Sequence, residues 1–186
     1  MTQKPSIDVT SFDLEQTFSA LRGTIKPSLG IFATMPLASF AGLKIQSVDA
    51  HHSVVTMPGG WRTQNPFKST YWAAQGMAAE MATGLIPAAY VRASPVPVRM
   101  ILAGTHARFI KMCKGKSTFK HDAGDAVRQA MNETFETGNS VTCELTSLGY
   151  DSEGDVVSEW SFTWSFRARL NEVKTNQRGS RSLRFE

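Results

Sequence analysis

The chain has 186 residues, 41% of them hydrophobic and 19% charged, a globular composition with enough length to bury one core. Its formal charge of +4 sits at one end: six of the 20 basic residues and two of the 16 acidic ones fall in positions 167–186, leaving fourteen of each elsewhere. Two cysteines without CxxC spacing, Cys113 and Cys143, exclude a disulfide framework and read as reduced thiols, and the most apolar run, 29–43, is too short and too interrupted to span a membrane.

At the start, MTQKPSIDVTS carries no apolar leader region, so a cytoplasmic protein is expected. Phe12, Leu14, Phe18 and Leu21 recur at near-helical intervals and predict a helix over 12–22, with Gly23 as its stop. The segment SLGIFATMPLASFAG is apolar but broken by Gly30, Pro36 and Gly42, which suggests a short helical turn and then irregular chain. Between 43 and 57 weak alternation with β-branched residues predicts a strand or hairpin that bends at Ala50-His51-His52. Asn65-Pro66 then opens a turn before a helix predicted over about 68–83, with Ser69 or Thr70 as caps and Gly84 and Pro87 as stops.

The run from Val98 to Cys113 reads as one long strand in which Gly104 marks a bulge or a close backbone approach. Asp122 is placed to cap a helix over 124–137 that ends at Gly138. Segments 141–148 and 156–168 form the clearest hairpin, and in its second arm Trp160, Phe162, Trp164 and Phe166 alternate with polar residues, sending four aromatics to one face. The predicted class is therefore α+β: a curved antiparallel sheet around a central helix, with an extra N-terminal helix and one inserted helix. A single domain over 1–168 is expected, followed by a basic tail over 169–186 that is either a solvated end or a contact for phosphate, anionic membrane or nucleic acid.

The chemistry concentrates in WRTQNPFKSTYWAAQGMAAEMATG, residues 61–84, whose helix is apolar nearly all round and yet carries one carboxylate, Glu80. Burial would raise the pKa of Glu80 toward the range of a general base; otherwise it is a carboxylate near a helix end that reaches solvent. At 100 degrees per residue Glu80 lies beside Gly76 and Ala73, a strip of helix almost without side chains where a substrate could lie, whereas Gln75 points about 140 degrees away and is secondary. Asn65 either hydrogen-bonds a substrate carbonyl or water, or simply opens its turn. Free amides in the first helical turn, around Tyr71 to Ala73, suit a developing oxyanion.

Other patterns are weaker. The four histidines lack metal-ligand spacing, and Asp151, Glu153 and Asp155 match only part of a calcium loop, so no metal is expected. The alternating aromatics of 160–166 resemble a base-stacking surface less than the core face of a sheet.

The order of elements and the helix motif resemble the hot-dog thioesterase superfamily, in particular its phenylacetyl-CoA-thioesterase-like branch, over roughly residues 40–168. Asn65 and Glu80 match that branch's asparagine and acid with the spacing preserved, while Tyr71, Trp72 and Ala73 stand where it carries His-Gly-Gly. The resemblance implies that water activated by Glu80 attacks a thioester held by the Trp72 or Ala73 amide, with Asn65 orienting the reactants and Tyr71, Gly76 and Arg108 contacting substrate. It implies no cofactor beyond coenzyme A as part of the substrate, and a homodimer or dimer of dimers with sites at the subunit interface. Arg99, Arg108, Lys111, Lys114 and Lys116 would meet coenzyme A phosphates, or are solvated charges that protect a sheet edge. Two functions stay open on this scaffold, thioester hydrolysis and the binding of an acyl or other hydrophobic ligand without hydrolysis; a nucleic-acid module led by the tail ranks third.

Overall fold

The computed structural model describes residues 7–22, 30–31 and 33–170. A single 3-10 turn, Val9–Ser11, precedes α1 (Leu14–Leu21), α2 (Pro36–Ala41), β1 (Lys44–Val48), β2 (Ser53–Met57) and the long α3 (Trp72–Ala93); then follow β3 (Val98–Phe109), β4 (Ser117–His121), α4 (Gly124–Thr137), β5 (Ser140–Tyr150) and β6 (Val156–Ala168). All six strands join one sheet in the order β1-β2-β4-β5-β6-β3, and every pairing is antiparallel. The tail beyond Leu170 lies outside the described residues, so its role stays an expectation.

The aromatic ladder of β6 sets the core. Trp160, Phe162, Trp164 and Phe166 are all buried, as their alternation with polar residues requires of a strand with one covered face. α3 covers that face, packing on β2, β4 and β5 and touching β6 and β3. Its 22 residues make it about 33 Å long. Ala74, Ala78, Ala79, Ala82 and Ala89 are buried along it, and such short side chains let the sheet come close on more than one side of the helix.

α3 corrects the predicted helix at both ends. It begins at Trp72 rather than Lys68, with Tyr71 as N-cap and no side-chain cap bond, so neither Ser69 nor Thr70 caps it. It also runs straight through Gly84 and Pro87 to Ala93. Those residues break helices that stand alone, but here Ile86, Pro87, Ala89 and Tyr90 are all buried and packing outweighs the local cost.

β4 has no counterpart in the sequence reading; it pairs β2 on one side and β5 on the other. The long strand ends at Phe109, short of Cys113, and its predicted irregularity is the register shift between Leu102 and Gly104. α4 has the predicted bounds, and Gly138 closes it with φ 72, but its N-cap is Ala123 rather than Asp122. The 28–42 segment holds the short helix α2, with Pro36 at its first position and Gly42 left-handed at its end.

Candidate functional site

Two regions of α3 carry the candidate residues, and they lie apart. At the first turn, a cavity of about 490 Å³ is lined by Asn65, Phe67, Tyr71, Trp72, Gln75, Phe109 and Cys113 among others. Residues 63–71 are pinned there by backbone bonds: the Tyr71 N–H donates to the Thr63 carbonyl at 2.7 Å and the Thr70 N–H to the Cys113 carbonyl at 2.7 Å. Lys68 takes a left-handed conformation with φ 59, a strained state for a residue with a side chain.

Asn65 organises this loop. Its side-chain oxygen accepts from the backbone N–H of Phe67 at 3.0 Å and of Ser69 at 3.2 Å, and its amide nitrogen donates to the Ser69 hydroxyl at 2.9 Å. Tyr71 and Trp72 stand half-exposed at the cavity mouth, their rings 5.8 Å apart. The first helical bonds are donated by the N–H groups of Ala74 and Gln75 to the Tyr71 carbonyl, which leaves the Trp72 and Ala73 amides without an acceptor among the described residues.

Gln75, set aside in the sequence reading, proves to tie this turn to the sheet. Its amide nitrogen donates to the Thr70 carbonyl at 3.2 Å and its oxygen accepts from the Ser158 hydroxyl at 3.0 Å, while Ser158 in turn accepts from the Trp160 indole N–H at 2.9 Å. A glutamine in an otherwise apolar helix was the available signal, since a buried amide needs partners for both ends.

Glu80 sits two turns further along, on the stripe shared with Gly76 and Gly84. The aromatic ladder flanks that stripe: a Cβ on Gly76 would meet the Trp160 ring at 3.2 Å, and one on Gly84 the Trp164 ring at 3.4 Å, while both glycines stay half-buried. The glycines serve the close approach of helix to β6. Glu80 itself is half-buried between these contacts, its carboxylate without a hydrogen-bond or ionic partner among the described residues. Desolvation by burial raises its pKa above the ordinary 4.5. Trp72 and Glu80 are eight residues apart, about 12 Å along the helix axis.

Arg108 is elsewhere. It stands opposite Glu159 in the β3–β6 ladder and binds that carboxylate at 2.8 Å, on the sheet face turned away from the aromatic ladder. Lys111 is likewise engaged, with its ammonium among Asp151 (2.9 Å), Glu153 and Asp155. That triad is the one acidic, His or Cys cluster with metal-like spacing among the described residues, and a cation of the chain's own already fills it.

A single antiparallel sheet holding one long helix on its concave face defines the class: this is the hot-dog fold. The structure is similar to a protein of unknown function from Chlorobaculum tepidum (15% identity, TM-score 0.67, covering 85% of this chain and 98% of that one). It is also similar to a Pseudomonas aeruginosa protein that carries the name "Probable Thioesterase" (17%, 0.62, 81% and 99%) and to a thioesterase from Haemophilus influenzae (14%, 0.60, 84% and 96%). Over residues 24–166 the chain matches the model of the domain of unknown function DUF4442, and it belongs to that family. No curated protein matches it in sequence.

Proposed function

We propose that this protein hydrolyses acyl thioesters of coenzyme A, with Glu80 as the general base that activates water. The observation that carries this reading is Glu80 itself, a half-buried carboxylate with a raised pKa and no partner among the described residues, on the central helix of a hot-dog fold. A carboxylate kept without a cation or donor costs stability, and such groups concentrate where proton transfer is needed. The Trp72 and Ala73 amides supply donors for the thioester oxygen, with Asn65 holding the loop that presents them. Since some 12 Å of helix separates those amides from Glu80 in one chain, the reading pairs the first-turn cavity of one copy with Glu80 of a second across a dimer interface.

Hydrolysis of short, long and aryl acyl-CoA substrates tests it. Glu80→Gln is expected to lower kcat/KM by about a hundredfold or more. In the parent protein kcat/KM is expected to rise with pH along a limb displaced above 4.5, because the base must be ionised and burial disfavours that form. A variant as active as the parent removes Glu80 from the mechanism.

A second reading, binding of an acyl or other hydrophobic ligand without hydrolysis, is favoured by one feature: the Trp160 ring packs against Gly76, one helical turn from Glu80. Tight acyl-CoA binding with no turnover by any substrate would select it.

A further inference from the structure

The short helix α2 is apolar on two adjoining faces, and the core uses only one of them. Ala38 and Ala41, three residues apart, are buried in the core, whereas Leu37 and Phe40, also three apart, stay exposed. Met35, the N-cap of α2, is exposed beside them. The loop after β2 adds a fourth large apolar side chain, because the Trp61 ring meets the Phe40 ring edge to face at 5.9 Å. Leu37 is 66% exposed and Trp61 75%, so both protrude instead of lining a groove.

Helix and loop form one firm surface. Gly42 closes α2 in the left-handed conformation, with φ 81, and the Leu43 N–H donates back to the Ala38 carbonyl at 3.0 Å. A Cβ on Gly42 would meet Pro58 Cγ at 2.8 Å and Arg62 Nη2 at 3.4 Å, so the end of α2 lies against the loop that carries Trp61.

The charge around this patch has one sign. Residues 16–79 hold five basic residues and a single carboxylate, Asp49, although the whole chain has 16 acidic residues. Asp49 is engaged by the N–H groups of His51 and His52 at 2.7 and 2.8 Å. Lys44 and Arg62 line a hollow of about 390 Å³ at the end of α2 with Ser39 and Gly42, and both are exposed with no ionic partner among the described residues. Such charges need not converge on one ligand: cations spread beside an apolar patch match a surface of many separate anions. A second copy is a poor occupant, since two-fold pairing of this face would set its cations against their own counterparts with no carboxylate in the patch to answer them. A folded partner would need a pocket shaped to each protruding side chain, whereas lipid accepts such groups without a matching shape. Tryptophan and basic residues beside leucine and phenylalanine are the types that settle between headgroups and acyl chains.

We propose that α2 and the loop against it dock this protein reversibly on an anionic lipid bilayer, with Leu37, Phe40 and Trp61 entering the boundary between headgroups and acyl chains and Lys44 and Arg62 facing lipid phosphates. None of these residues lines the first-turn cavity, and the docking asks nothing of the hydrolysis proposed at Glu80.

Co-sedimentation of the full chain with vesicles tests it, using phosphatidylcholine alone and equal parts phosphatidylcholine and phosphatidylglycerol. The mixed vesicles are expected to bind about tenfold more tightly or better, and raised salt to weaken that binding. Leu37→Ser/Trp61→Ala should weaken binding to the mixed vesicles about tenfold or more, and Lys44→Glu/Arg62→Glu should reduce the preference for phosphatidylglycerol severalfold. All four residues are exposed, so the variants are expected to keep the parental circular dichroism. Lipids brominated in the acyl chain should quench tryptophan emission of the parent, and Trp61→Phe should remove most of that quenching while the protein stays bound. Binding undiminished in Leu37→Ser/Trp61→Ala, or quenching undiminished in Trp61→Phe, puts the contact elsewhere on the chain and overturns the proposal. Equal binding to both kinds of vesicle, or none to either, overturns it as well. A parent that ignores vesicles but falls to half its solution mass in Leu37→Ser/Trp61→Ala assigns the face to self-association instead. Glu80→Gln should bind the mixed vesicles as the parent does, so a failure of hydrolysis and a failure of docking are read separately.

Discussion

Single residues in this protein carry uncompensated polarity, and Glu80 is not alone. His121 on β4 is buried, its Nδ1 donates to the Thr146 carbonyl at 2.8 Å, and its Nε2 has no partner among the described residues. Burial lowers its pKa from 6.5, opposed by the Thr146 bond and by the nearby charge of Asp122. The folded state therefore holds fewer protons on this ring than the unfolded chain as the pH falls below 6.5, and stability is lost over that window. Urea unfolding between pH 7.5 and 5 should show stability falling at up to about 1.4 kcal/mol per pH unit from this group, with the slope reduced in His121→Gln. An identical slope in the variant would assign the acid sensitivity to other groups. At this scale the sequence was informative about Glu80 because one carboxylate in an apolar helix stands out. It was silent on His121, whose burial depends on two neighbouring strands that no local pattern announces.

Elements were legible where periodicity and burial agree. The β5–β6 hairpin and α4 are set by local patterns, and their predicted bounds fall within about two residues of those found. α3 was misjudged at Gly84 and Pro87 because helix propensity is a local quantity while the helix is held by the sheet. β4 was missed because two of its inward residues, Ser117 and His121, are polar and mask the alternation around Phe119. The two helix glycines now separate by what faces them. Replacing glycine by alanine inside a helix gains up to about 1 kcal/mol when space allows. At Gly84 the nearest Trp164 atom would be 3.4 Å from the new methyl, an ordinary contact, so Gly84→Ala is expected to raise stability by about 0.5–1 kcal/mol. At Gly76 two Trp160 atoms would lie at 3.2 and 3.3 Å, and that ring is fixed by Ser158 and stacked on Phe162. Gly76→Ala is expected to lower stability by about 1 kcal/mol, as overpacking does. Thermal or urea unfolding of the pair decides, and equal gains at both positions would mean that Trp160 yields freely.

At the scale of the whole sheet, one long edge has no strand partner among the described residues. β3 is the terminal strand of the sheet, pairs only with β6 among the described residues, and runs for 12 residues without a proline. Ile101, Leu102 and Phe109 along it, and Ile110 and Met112 just beyond, are large apolar side chains left exposed. An unpaired edge of that length, with apolar side chains beside its few charges, is suited to pair with another strand, and the other end of the sheet, β1, has only five residues. Strand order and edge identity could not be read from the sequence, since they depend on which strands meet across long loops. Joining two copies along β3 in antiparallel fashion would extend the sheet and cover these side chains, and the proposed division of the site between Trp72 of one copy and Glu80 of the other requires some such pairing. Sedimentation equilibrium is therefore expected to give twice the chain mass at micromolar concentration. Ile101→Lys, on the outer face opposite Ser165 and two residues from Arg99, should add like charge where the antiparallel copies meet and shift the protein toward monomer with its circular dichroism unchanged. Acyl-CoA hydrolysis should fall in step with the dimer fraction, because the variant touches neither Glu80 nor the first turn of α3. A parent protein that is monomeric and fully active would refute the shared site and force both groups to be found within one chain.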